Sequence, residues 1–142
     1  MGHRPGTVPA MIERTFDIPT PDGAMNTFSV RPDDGGPLPV VLMLMDAPGV
    51  REGLREICRR ISQSGYFVLL PNLYYRAGTD TKYGPDVLKH GSDEHKRMRA
   101  VRTKMTIPPV MADVADMLRF LDGFAPAKPG PVGVHGYCMS GP

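Results

Sequence analysis

At 142 residues, 41% hydrophobic and 23% charged, the chain has the composition of an ordinary globular domain and enough length for one core. Its 16 glycines and 16 prolines imply many loops but follow no collagen-like or low-complexity period. A formal net charge of +2 is too small to argue for nucleic acid or an anionic membrane surface as a partner.

Residues 1–6, Met-Gly-His-Arg-Pro-Gly, lack the apolar core of a secretory signal, and Gly6 stands where myristoylation wants Ser or Thr. No apolar run reaches membrane-spanning length, so the cytoplasm is the default expectation. Residues 15–18 and 26–31 flank Pro19-Thr20-Pro21-Asp22-Gly23, a turn-rich cluster whose Asp-Gly suits a hairpin. In the second arm Asn26, Phe28 and Val30 alternate with Thr27 and Ser29, which predicts one buried face. After a Pro/Gly-rich connection, residues 40–45 (Val-Val-Leu-Met-Leu-Met) read as a strand covered on both faces of a parallel sheet.

Residues 51–64 carry Leu54, Ile57, Cys58 and Ile61 on one helical face, and Gly65 offers the left-handed residue that ends helices. Residues 66–70 form the next buried strand, stopped by Pro71, which completes a βαβ unit. The stretch 78–91 reads as loop. Ser92-Asp93-Glu94 suits the cap and first turn of a helix continuing through 95–104. Val110, Val114, Met117, Leu118 and Leu121 make a further stripe, with Pro109 near its start and Gly123 near its end. Residues 132–134 supply a last strand. The alternation predicts an α/β fold: a mostly parallel sheet preceded by an N-terminal hairpin, in one domain over 1–142.

Lys96, Arg97, Arg99, Arg102 and Lys104 stand beside Asp93 and Glu94 with no aromatic interleaved, the pattern of a solvated helix face and not of a nucleic-acid site. His3, His90, His95 and His135 show no metal-ligand spacing with the cysteines, and His135 is expected to be packed on the strand side of the last turn. Met43, Met45, Met98, Met105, Met111 and Met117 read as core filler. A disulfide between Cys58 and Cys138 is arithmetically open; a reducing compartment favours free thiols.

The last strand runs into His135-Gly136-Tyr137-Cys138-Met139-Ser140-Gly141, a Gly-x-nucleophile-x-small-Gly pattern of a strand-to-helix elbow. The turn would place Cys138 at a helix N-terminus, where the dipole favours the thiolate. The amide of Met139 would face a developing oxyanion. Two upstream segments follow buried strands: Asp46-Ala47-Pro48-Gly49-Val50 and Pro71-Asn72-Leu73-Tyr74-Tyr75-Arg76. With the elbow, in this order, they resemble the dienelactone hydrolase family of α/β-hydrolases, whose elbow reads Gly-Tyr-Cys-x-x-Gly and whose later segment reads Pro-Asp-Leu-Tyr-x-Arg.

The resemblance implies the N-terminal portion of an α/β-hydrolase fold and hydrolysis of a small-molecule ester or lactone by a cysteine nucleophile, Cys138, with no metal or organic cofactor. It implies that Asp46 takes the place of a catalytic glutamate, one methylene longer. Ala47 would supply the second oxyanion-hole amide. Arg76 would bind a substrate carboxylate through its planar fork, and Tyr74 would shape the pocket. Only four residues follow Cys138. The family acid and histidine therefore have no counterparts, and the chain alone is expected to be poorly stable or self-associating and to acylate without turning over. A non-catalytic binding scaffold on the same fold is the competing class.

Overall fold

The computed structural model describes residues 10–33, 36–78 and 83–136. Strands β1 (Met11–Thr20) and β2 (Gly23–Pro32) form the hairpin, β3 is Val40–Leu44, helix α1 is Glu52–Ser62 and β4 is Phe67–Pro71. A single 3-10 turn (Tyr75–Ala77), helices α2 (Asp93–Arg102) and α3 (Ile107–Leu121), and strand β5 (Gly133–Gly136) follow. The sheet order is β1-β2-β4-β3-β5. Strands β4, β3 and β5 are mutually parallel, and the hairpin joins them antiparallel through β2.

The hairpin turns on Pro21 and Asp22, with Thr20 paired to Gly23, one residue earlier than the Asp-Gly signal suggests. Thr20 Oγ1 accepts from the Asp22 amide at 3.2 Å, which holds the tight turn closed. The expectation of one buried face on β2 is corrected: Thr27, Phe28, Ser29 and Val30 are all buried. A central strand between β1 and β4 is covered on both sides. Its polar residues tolerate this because Thr27 Oγ1 donates to the Met25 carbonyl and Ser29 Oγ to the Arg14 carbonyl.

Register assigns the two faces. Phe28 pairs with Thr15 and Leu70, and this face takes α1, where Arg59 of α1 reaches Glu13 at 2.7 Å and its guanidinium lies 5.8 Å from the Phe28 ring. Phe16 pairs with Thr27 on the opposite face and stacks on Phe120 of α3 at 5.4 Å. Helices α1 and α3 therefore cover opposite faces. Since α1 leads from β3 to β4 while α2 and α3 lead across to β5 on the far side of β3, the direction in which strands are added to the sheet reverses between β3 and β5. In open α/β sheets the crevice at the carboxyl ends of such strands is where ligands bind.

Helix boundaries follow their local signals. Glu52 opens α1 and Arg59 and Arg60 close it, in the sense its dipole favours, and Gly65 has φ +99° just beyond. Ser92 caps α2, its Oγ accepting from the His95 amide at 3.1 Å. Other details depart from expectation. Pro71 is the last residue of β4 and Tyr66 lies outside it. Leu118 and Met111 are exposed on α3, and so is His135 on β5. The inward stripe of α3 is instead Val110, Asp113, Val114, Met117 and Leu121, with a carboxylate at its centre. Val134, on the α3 side of β5, is 60% exposed.

Candidate active site

Strand β3 ends into Asp46-Ala47-Pro48-Gly49, a turn closed by the Gly49 amide donating to the Asp46 carbonyl at 2.9 Å, with Gly49 at φ +87°. Among the described residues the Asp46 carboxylate is held by Arg51. Arg51, the residue before α1, donates Nη2 to Oδ2 at 2.7 Å and Nη1 to Oδ1, and reaches the Gly49 carbonyl at 3.3 Å. Both oxygens of Asp46 thus belong to a bidentate pair that closes the turn on itself.

Ala47 is buried, and its carbonyl precedes Pro48, so the adjoining peptide has no N–H. The Tyr74 hydroxyl reaches that carbonyl at 2.7 Å from the end of β4. This bond ties together the two loops that leave neighbouring parallel strands. Tyr74 is itself buried, and its amide donates to Asn72 Oδ1 at 3.0 Å. The Asn72 amide group donates to Asn26 Oδ1 on the hairpin and to the Gly78 carbonyl, each at 3.0 Å. The segment that this stretch resembles carries aspartate here. A carboxylate is acceptor-only and could make neither of those two bonds.

Arg76 stands over the Tyr75 ring, 4.6 Å from its centroid, and binds two carboxylates. Nη1 and Nη2 donate to Asp113 Oδ2 and Oδ1 at 2.9 Å each, and Nε donates to Asp22 Oδ2 at 2.9 Å, with Nη2 2.8 Å from the same oxygen. Asp113 also accepts from the Tyr75 hydroxyl at 2.9 Å, which in turn lies 2.9 Å from Thr20 Oγ1. Burial, with Asp113 beside it, pushes the Tyr75 phenol up, so it remains a donor. Neither Asp22 nor Asp113 was legible as a partner of Arg76 in the sequence. The available signal was a carboxylate three residues after Val110 in an otherwise apolar stripe.

A cleft of about 380 Å³ lies beside the Asp46 turn, walled by Pro48, Val50, Tyr83, Pro85, Val87 and Leu88, with Arg51 at its side. Cys138 and Met139 lie outside the described residues; β5, which leads into them, ends beside β3. The structure therefore brings Asp46, Ala47 and Tyr74 together at the carboxyl edge of the sheet, with Arg76 two residues further along. Among the described residues no cluster of three metal-ligating side chains forms, and no helix is long and apolar enough to cross a membrane.

This strand order, with its antiparallel hairpin and the strand-end loops of β3 and β4, defines the N-terminal part of an α/β-hydrolase fold. The model of the dienelactone hydrolase family matches residues 25–142, and the chain belongs to that family. A Methylorubrum extorquens protein named "putative carboxymethylenebutenolidase" is 32% identical over 131 residues, which cover 92% of this chain and 42% of that protein. A relative of the same name from Escherichia coli is 39% identical over 70 residues, covering 49% of this chain and 26% of that one. A Klebsiella pneumoniae crystal structure titled as a "putative dienelactone hydrolase" superposes with a TM-score of 0.74 at 26% identity, over 92% of this chain and 51% of that one. A cold-adapted esterase from an Arctic metagenome, at 22% identity and a TM-score of 0.60, shares the fold. The chain thus spans about half the length of these matched proteins or less. Family membership supports a hydrolase.

Proposed function

We propose that the site hydrolyses carboxylic esters or lactones through Cys138. The thiolate attacks the carbonyl carbon, and the amides of Ala47 and Met139 receive the oxyanion. The C–O bond then breaks, the alkoxide leaves and takes a proton from water, and the acyl group remains on sulfur as a thioester that a second water must cleave. The observation that supports this reading is the edge geometry. The Ala47 turn leaves β3, β5 runs beside β3 toward Cys138, and the Tyr74 hydroxyl holds the Ala47 carbonyl. Asp46 contributes by holding that turn through Arg51. Tyr74 and Arg76 frame the site.

The test is acylation of the chain by p-nitrophenyl acetate, beside its Cys138→Ala variant. The expected result is a first equivalent of nitrophenol per chain released as Cys138 is acylated, absent in the variant. A release that persists in Cys138→Ala would overturn the cysteine nucleophile.

A further inference from the structure

Arg76 follows β4 at the carboxyl edge of the sheet with its guanidinium already paired. A guanidinium presents two pairs of parallel N–H groups to carboxylates, the Nη1/Nη2 end and the Nε/Nη2 side. Asp113 occupies the end at 2.9 Å on both contacts. Asp22 occupies the side, its Oδ2 lying 2.9 Å from Nε and 2.8 Å from Nη2. What remains is a single outward Nη1 hydrogen, which cannot grip a third carboxylate bidentately.

We infer that Asp113 and Asp22 are specificity-determining residues that close Arg76 to a substrate carboxylate, so that the site takes esters or lactones with an uncharged acyl portion. The inference rests on the hydrolase reading above. Charge agrees at the guanidinium itself, where one positive charge faces two carboxylates; Lys104 is a second cation lining the pocket beside Arg76. Displacing Asp113 is strongly disfavoured, because at 1% exposure it would be left as a buried anion with the Tyr75 hydroxyl as its remaining partner among the described residues. Asp22, 58% exposed on the hairpin turn, is the weaker of the two guards. The cleft beside the Ala47 turn is walled by apolar and aromatic side chains, and its cation, Arg51, is already paired with Asp46.

The experiment titrates the chain with maleate, a small dicarboxylate, by calorimetry, and compares wild type with Asp22→Asn, Asp22→Asn/Asp113→Asn and each of these with Arg76→Ala added. The wild type should show no maleate binding that depends on Arg76. Asp22→Asn, a surface change that leaves the fold intact, should bind at least about tenfold more tightly, as a charge-assisted pair requires, and Arg76→Ala should abolish the gain. Wild-type binding that is lost in Arg76→Ala would overturn the inference, as would no gain in Asp22→Asn. The nitrophenyl acetate test separates the two levels. Failure of Cys138 acylation removes the hydrolase reading and this inference with it. Retained acylation with Arg76-dependent maleate binding in the wild type removes only the specificity assignment.

Discussion

The hydroxyl of Tyr74 and the carbonyl of Ala47, 27 positions apart in sequence, meet at 2.7 Å at the carboxyl edge of the sheet. The bond couples the loop after β3 to the loop after β4. It also satisfies a buried carbonyl that a proline peptide leaves without a neighbouring donor. Tyr74→Phe removes only the hydroxyl and leaves that carbonyl unpaired. Stability should fall by about 1–3 kcal/mol, the range for orphaning a buried acceptor. Urea unfolding of the two proteins checks this; an unchanged midpoint would mean the carbonyl finds another donor.

Asn72 gives a sharper case, because one substitution exchanges two donors for acceptors. Its amide donates to Asn26 Oδ1 and to the Gly78 carbonyl while its oxygen accepts from the Tyr74 amide. Asn72→Asp keeps the last bond and turns the first into a contact between two acceptors. We expect a loss of about 1–3 kcal/mol, read by thermal or urea unfolding. Asn26→Lys in the same background, which supplies a donor and a positive charge, should recover part of it. No loss in Asn72→Asp would show that the hairpin does not depend on this amide.

Much of this arrangement was legible in the sequence, and the part that was not has a common cause. Unbroken apolar runs announced β3 and β4 because strands covered on both faces need no alternation, and Ser92 announced α2 because a cap is a local hydrogen bond. The burial of β2 was hidden, since Thr27 and Ser29 read as a solvent face until their hydroxyls find backbone carbonyls. Val110, Val114, Met117 and Leu121 locate the inner face of α3, but the apolar pattern also takes in Leu118, which is exposed, and gives no signal for the buried Asp113. Its partners, Tyr75 and Arg76, lie 38 and 37 positions away, a pairing that no local pattern encodes. The elbow at Cys138 is read from sequence alone.

The two cysteines should behave as chemically different thiols. Burial pushes the Cys58 thiol up to about 12 from an ordinary 9.0. At pH 8 only about one Cys58 in ten thousand is then thiolate. Cys138, at the head of its proposed helix, should be alkylated by iodoacetamide well before Cys58 in folded protein, with peptide mapping as the readout. The same shift has a stability consequence. The unfolded thiol ionises near its ordinary value and the folded one does not, so the folded state is favoured below pH 9 and loses ground as pH rises from about 9 to about 12, by up to about 1.4 kcal/mol per unit. Cys58→Ala should flatten that part of the profile. An equally steep decline in the variant would assign it to other groups.

Asp46 and Arg51 separate two roles for the turn after β3. Arg51 takes both carboxylate oxygens, so the geometry supports Asp46 as the residue that holds the Ala47 amide in place. A role in activating the sulfur would require it to leave that pair. The pair is partly exposed, and breaking it with Asp46→Asn should lower stability by only about 1 kcal/mol. The decisive measurement is the pH dependence of Cys138 alkylation. If Asp46 acts only on the turn, Asp46→Asn leaves the midpoint of that profile where it is in the wild type. Acylation by p-nitrophenyl acetate then slows through the displaced amide, and Arg51→Ala should slow it to a similar extent. A carboxylate that takes the thiol proton predicts the opposite pattern. The alkylation midpoint would rise in Asp46→Asn and fall in Arg51→Ala, where the freed carboxylate could turn toward the sulfur.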